Sequence, residues 1–169
     1  IRGAIWYQGE SNTEIANTYR DRFTAMIRDW RARWKQGDFS FYFVQLANFK
    51  ATPGWPLLRE AQPQTLAEPN TGMAVILDIG NPTDIHPRNK LDVGRRLALL
   101  ARAKTYGETE LEYSGPIFDH AEFSDNSARI FWKHAAGLRA RDRAKEIKGF
   151  ELAGTDGIYH PATAKIKGV

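Results

Sequence analysis

Three short apolar runs, each followed by a stretch of helical periodicity, constrain the fold of this chain more than any other feature. The first run, RGAIWYQ (Arg2 to Gln8), is aromatic-rich and ended by a glycine, which reads as a buried strand. After it Ile15, Tyr19, Phe23, Ile27, Trp30 and Trp34 recur every three or four residues. That spacing puts them on one stripe of a helix, with Gly37 as a natural stop. The second run, FSFYFVQLANF (Phe39 to Phe49), is almost continuously apolar, as expected of a strand covered on both faces. A loop, KATPGWP, leads to a second helical stretch, LLREAQPQTLAE, in which Pro63 spoils the regularity. The third strand is expected over Met73 to Ile79. The loop NPTDIHP and a third helix, RNKLDVGRRLALLARAKTYG, follow; Leu91, Val93, Leu97, Leu100 and Ala101 form its apolar face and Gly107 closes it.

Strand–helix alternation of this kind predicts an α/β fold, a parallel sheet between helical layers. Sites in such sheets lie beyond the carboxyl ends of the strands. QGESN follows the first strand and DIGNPTDIHP the third, so both segments belong on one edge and can act together. After Gly107 the texture changes to short strand-like pieces with turn residues between them: LEYSGPIF, AEFSDNSARIFWKH, IKGFELAG and IYHPATAKIKG. We therefore expect an α/β part over residues 1–110 and an antiparallel β-rich region over 111–169. The chain opens and closes on strand-like runs without a lead-in, which suggests a piece of a longer protein whose β-rich region is cut short.

Composition removes several classes of function. Apolar residues make up 42% and aromatics 12%, enough for a packed core and too many for a disordered chain. There is no cysteine, which excludes disulfides, thiol catalysis and zinc–thiolate sites. No apolar run reaches the ~18–20 residues of a membrane span. The net charge of +4 is spread and mixed with acids, as on a solvated helix face, and Arg139–Lys148 is its densest basic stretch. A nucleic-acid partner would need that charge gathered on one face, so none is expected.

The chemistry-bearing residues gather in the two edge segments. Ser11 has the position of a strand-end nucleophile, yet Thr13 stands where a nucleophile elbow has its second glycine. Ser11-Asn12-Thr13-Glu14 also spells a capping box ahead of the apolar stripe, and the serine is read as that cap. Asp84 and His86 are two apart, so in an extended loop they face the same way. A carboxylate there can orient an imidazole, as in a serine-hydrolase triad. Alternatively, Asp84 caps the next helix, with Pro87 at its first position. Asp78, at the end of the third strand, is a rival acid. Gln8 has an amide able to donate to an oxyanion, and Gly9 would let a substrate approach the backbone. Glu10 is a catalytic acid, a contributor at the helix N-terminus or an ion-pair partner of Arg59; a structural role is favoured. Asp78, Asp84 and His86 are the one combination with metal-ligand chemistry, and they lack a second nearby histidine. His120, His134 and His160 read as structural. Trp55 offers a ring for stacking on a sugar, or a packing residue at the start of a helix.

Taken together, IRGAIWYQGESN, DWRARWKQGDFSFYFVQLANF, LLREAQ, NTGMAVILDIGNPTDIHPRNKLDVGRRLALLA and KGFELAGTDG resemble the bacterial sialate O-acetylesterases, carbohydrate esterases of the SGNH-hydrolase type. The resemblance runs through nearly the whole chain. It implies a three-layer α/β/α, flavodoxin-like catalytic domain with added β-rich regions. It implies removal of O-acetyl groups from sialic acids or other sugars in the periplasm or outside the cell, with no metal or other cofactor. Carried over residue by residue, Gln8 is the oxyanion donor, His86 the general base and Asp84 its orienter. The family's nucleophile lies in a Gly-Gln-Ser-Asn segment, which this sequence lacks; GESN corresponds to a later block. The expectation is thus the distal half of a Ser-His-Asp esterase site, with the serine elsewhere. The alternative is a non-catalytic carbohydrate-binding or interaction module of the same fold.

Overall fold

The computed structural model describes residues 1–50, 53–140 and 146–167, which divide into two compact units, Ile1–Ser114 and Gly115–Val169. The basic stretch Arg139–Lys148 falls partly on residues 141–145, outside those described. None of the described helices is long and apolar enough to cross a membrane.

The first unit is built on a parallel sheet of β1 (Gly3–Trp6), β2 (Ser40–Val44) and β3 (Thr71–Ala74), in that order. Its helices are α1 (Tyr19–Trp34), α2 (Gly54–Gln64) and α3 (Lys90–Lys104). Side chains alternate across β2. Phe41 and Phe43 enter a core with Tyr19, Phe23 and Ile27 of α1 and Trp55 and Leu58 of α2. Tyr42 and Val44 enter a second core with Val93, Leu97 and Leu100 of α3. Helices thus cover both faces, giving the three layers expected, and burying each large apolar side chain contributes about 1.5–3 kcal/mol.

Several local expectations are corrected. β1 is not buried: its residues alternate between exposed and half-buried, and Ile5 is 70% exposed, because β1 pairs with β2 alone and stands at the sheet edge. β2 and β3 are shorter than their apolar runs. Gln45, Leu46 and Ala47 continue the burial of β2 past its end; Gln45 N–H still donates to the Ala74 carbonyl at 3.0 Å, and the pairing stops at Leu46, where α2 packs over the segment. There the Gln62 amide accepts from Leu46 N–H at 2.8 Å and donates to the Val44 carbonyl, while Trp55 donates to the Ala47 carbonyl.

Ser11 does not cap α1. Gly9 has φ 147° and turns the chain into a 3₁₀ helix, Glu10–Thr18, which places Ser11 exposed inside its first turn. Ile15 leaves the apolar stripe for the same reason, with non-helical dihedrals and 38% exposure. Leu91 is exposed rather than on the apolar face of α3. That helix begins at Lys90 rather than Pro87, and its cap is Asn89, whose side chain accepts from Asp92 N–H at 3.1 Å. One charge on α1 departs from the solvated pattern: Arg31 is buried and donates to the carbonyls of Phe39 and Pro69, both at 2.8 Å. It fastens the end of α1 to the segments entering β2 and β3.

The second unit has two antiparallel hairpins, β4 (Ile117–Ser124) with β5 (Ser127–Lys133) and β6 (Ile147–Ala153) with β7 (Tyr159–Ala164). His120 lies flat on Phe131, with ring centroids 4.3 Å apart, and its Nδ1 is 2.9 Å from Asp119. His160 sits on β7 opposite Leu152, and His134 follows β5 with φ 55°.

Candidate functional site

Two segments leave the carboxyl ends of β1 and β3, with β2 between them. Neighbouring strands run about 4.8 Å apart, so these segments start roughly 10 Å from one another.

On the β1 side the Gln8 amide is oriented by two contacts. Its Nε2 donates to Asn12 Oδ1 at 2.5 Å, and the Tyr19 hydroxyl reaches the Gln8 carbonyl at 3.0 Å and its Oε1 at 3.3 Å. An amide nitrogen carries two N–H groups, so one remains beyond the bond to Asn12. Burial, chiefly, pushes the Tyr19 hydroxyl up to about 12, so it stays protonated and keeps donating at neutral pH. Gly9 is buried, and a Cβ there would meet Leu58 Cδ2 at 2.9 Å. Its positive φ adds strain for any other residue. Gly9→Ala is therefore expected to lower stability by about 1–3 kcal/mol, read from the urea midpoint. A loss no larger than that of an exposed control substitution counts against the assigned role.

On the β3 side the loop is pinned by its own short polar side chains. Asn81 Oδ1 accepts from Thr83 N–H and from the Thr83 hydroxyl, both at 2.9 Å. Asp84 Oδ1 accepts from His86 N–H at 2.9 Å. Side chains that bond backbone two residues on are the usual devices of tight loops. The loop is also tied to the segment after β2. Lys50 N–H donates to the Pro82 carbonyl at 2.8 Å, and Gly80 lies so close to Asn48 that a Cβ would sit 2.2 Å from its Oδ1. Ile85 packs into the α1–α2 core and Pro87 is buried. Between them the His86 imidazole stands 86% exposed, with Nδ1 4.0 Å from Asp84 Oδ1. Asp84 thus bonds the backbone of His86 and lies beside its ring without a hydrogen bond to it; Arg88 Nε is 3.8 Å from the other carboxylate oxygen.

The remaining candidates are placed as follows. Asp78 lies past the end of β3, in a two-bond ion pair with Arg96 of α3 at 2.6 and 2.7 Å. Glu10 opens the 3₁₀ helix and forms no ion pair with Arg59, its candidate partner. Arg59 is half-buried, and desolvation lowers its pKa. Trp55 is 5% exposed, bonded to Ala47 and packed on Phe49 at 5.1 Å, which leaves no free face for a sugar ring. Among the described residues, no serine hydroxyl bonds to His86 and no three His, Asp or Glu residues gather as metal ligands. Sequence reasoning missed Asn12 and Tyr19. Tyr19 carried a signal, since a tyrosine rather than a phenylalanine in a buried stripe needs a partner for its hydroxyl.

Residues 1–101 match the profile of a family described as carbohydrate esterase, sialic acid-specific acetylesterase. The sialate O-acetylesterase of Homo sapiens is 35% identical over 175 residues, covering 90% of this chain and 33% of that protein. The sialate O-acetylesterase of Mus musculus is 36% identical over 139 residues, covering 69% of this chain and 26% of that protein. A crystal structure of a novel carbohydrate acetylesterase from Xanthomonas citri superposes with a TM-score of 0.92 at 50% identity, over 99% of this chain and 40% of that one. The chain thus spans a quarter to a third of these curated relatives.

Proposed function

The chain belongs to the sialic acid-specific acetylesterase family of carbohydrate esterases, and from that premise we propose that it forms part of a serine esterase that removes O-acetyl groups from sugars. The observation that carries this reading is the placement of Gln8 and His86 on segments leaving the same end of one parallel sheet. A serine from elsewhere in the longer protein attacks the acetyl carbonyl carbon. His86 takes the serine proton as the new C–O bond forms. The free N–H of Gln8 stabilises the oxyanion, held in place by Asn12 and Tyr19. Collapse of the tetrahedral intermediate breaks the bond to the sugar oxygen, which receives the proton from His86. Water, deprotonated by His86, then releases acetate and restores the serine. Asp84 holds the loop backbone at His86 and sets a negative charge beside the imidazolium when it forms.

The test is acetate release from O-acetylated sialic acid and from neutral acetylated sugars by the full-length protein. Gln8→Ala is expected to cut kcat about a hundredfold, with a stability loss of only about 1 kcal/mol from the bonds to Asn12 and Tyr19. Turnover that ignores Gln8→Ala contradicts the assigned oxyanion donor. A full-length protein that binds these sugars and releases no acetate favours a non-catalytic binding module.

A further inference from the structure

The segments bearing Gln8 and His86 are joined by a contact that involves neither residue. Tyr7 immediately precedes Gln8, and Lys90, four residues after His86, is the first residue of α3. The Lys90 ammonium stands over the Tyr7 ring, 5.0 Å from its centroid. Tyr7 is half-buried and packs against both cores, so its ring is a fixed platform. Burial, then the charge of Glu10, pushes its hydroxyl up to about 12, so the ring is neutral at physiological pH and attracts the cation through its π-face. A lysine in the first turn of a helix faces the positive end of the dipole and gains nothing there. Its position over Tyr7 supplies the missing attraction. Lys90 is also tied back toward the loop, its N–H donating to the Arg88 carbonyl at 2.8 Å.

We infer that Lys90 is a positioning residue, whose cation–π contact with Tyr7 holds the His86 loop in register with Gln8 across the width of β2. The inference rests on the proposed roles of His86 and Gln8. Its physical sense is that a base and an oxyanion donor on separate strands must keep a fixed separation, and a displacement of about 1 Å costs far more rate than stability. The β2-side ties, Lys50 to Pro82 and Gly80 against Asn48, fix the loop to the middle of the sheet. Lys90 links the His86 loop region to the β1 segment.

The test uses the full-length protein with Lys90→Gln, Tyr7→Leu, the double variant and Lys90→Arg. Lys90→Gln is expected to lower kcat about two- to fivefold, the size of an exposed cation–π contact, with KM unchanged. Tyr7→Leu does the same, the double variant is no worse than either single one, and Lys90→Arg restores the rate. Hydrogen exchange over residues 80–89 is expected to quicken in Lys90→Gln and to be normal in Lys90→Arg. Effects that multiply in the double variant, an arginine no better than glutamine, or unchanged exchange would each overturn the inference. Tyr7 packs into both cores, so if its leucine variant fails to fold, Lys90→Arg and the exchange measurement decide alone. Retained turnover in His86→Ala would remove the catalytic reading, and the exchange result would still decide whether Lys90 fastens the loop.

Discussion

Replacing His86 with alanine in the full-length protein is expected to lower kcat by about 10²–10⁴-fold, the usual contribution of a positioned general acid–base group. The imidazole is 86% exposed, and its Nδ1 approaches Asp84 Oδ1 only to 4.0 Å. The fold therefore has little to lose: the unfolding free energy from urea titration is expected to change by no more than about 0.5 kcal/mol, as for a surface substitution. That split between rate and stability is the informative outcome. The backbone N–H that Asp84 accepts is still present in the alanine variant, so the loop keeps its shape and only the ring is removed. A rate loss of less than about threefold on an acetylated sugar would reject His86 as the base.

The largest effect on stability is expected from Phe43→Ala, a loss of about 3–5 kcal/mol. Phe43 is fully buried at the centre of the sheet, and Phe23 of α1 meets it edge-on at 5.1 Å and 84°. Its removal leaves a void that neither β2, held by strands on both sides, nor α1, fastened by Arg31, can close. Such a loss is about a fifth or more of the stability of an ordinary domain. The check is a lowered urea midpoint with an unchanged slope. A loss below about 1 kcal/mol would mean that the α1 layer tolerates a cavity and is packed more loosely than described.

The order of elements was legible because each apolar run has a period that belongs to one kind of element. Phe23, Ile27, Val93, Leu97 and Leu100 all occupy the buried faces that their spacing predicts. Strand ends were not legible. Gln45 to Ala47 are buried like β2, and only the bonds of Leu46 to Gln62 and of Ala47 to Trp55 reveal that strand pairing has given way to a covering helix. Ser11 misled for a different reason. A capping box assumes an extended residue before the helix, whereas Gly9 adopts a positive φ that composition does not announce. At the candidate site the residue types and their common edge were readable from Gln8, Asp84 and His86. The supports were not: Asn12 meets Gln8 only because Gly9 turns the chain into a 3₁₀ helix, Tyr19 meets Gln8 from a helix eleven residues on, and Lys90 meets Tyr7 across the sheet. Asp78 had the right chemistry and position in the chain, but Arg96, eighteen residues later, engages both its oxygens.

The aromatic packing between β1 and α1 has an optical consequence. Three of the five tryptophans form a chain: Trp6 meets Trp30 at 5.8 Å and 88°, and Trp30 meets Trp34 at 5.4 Å and 31°. Indoles this close share excitation, so light absorbed by one is emitted by another with a different orientation. Their emission is depolarised even in a rigid protein, and their coupled transitions give a circular dichroism signal that separate indoles lack. Only the Trp6–Trp30 coupling crosses the seam between the edge strand and the first helix, so that part of the signal reports the seam without any label and is lost when the two part, while the Trp30–Trp34 part stays with the helix.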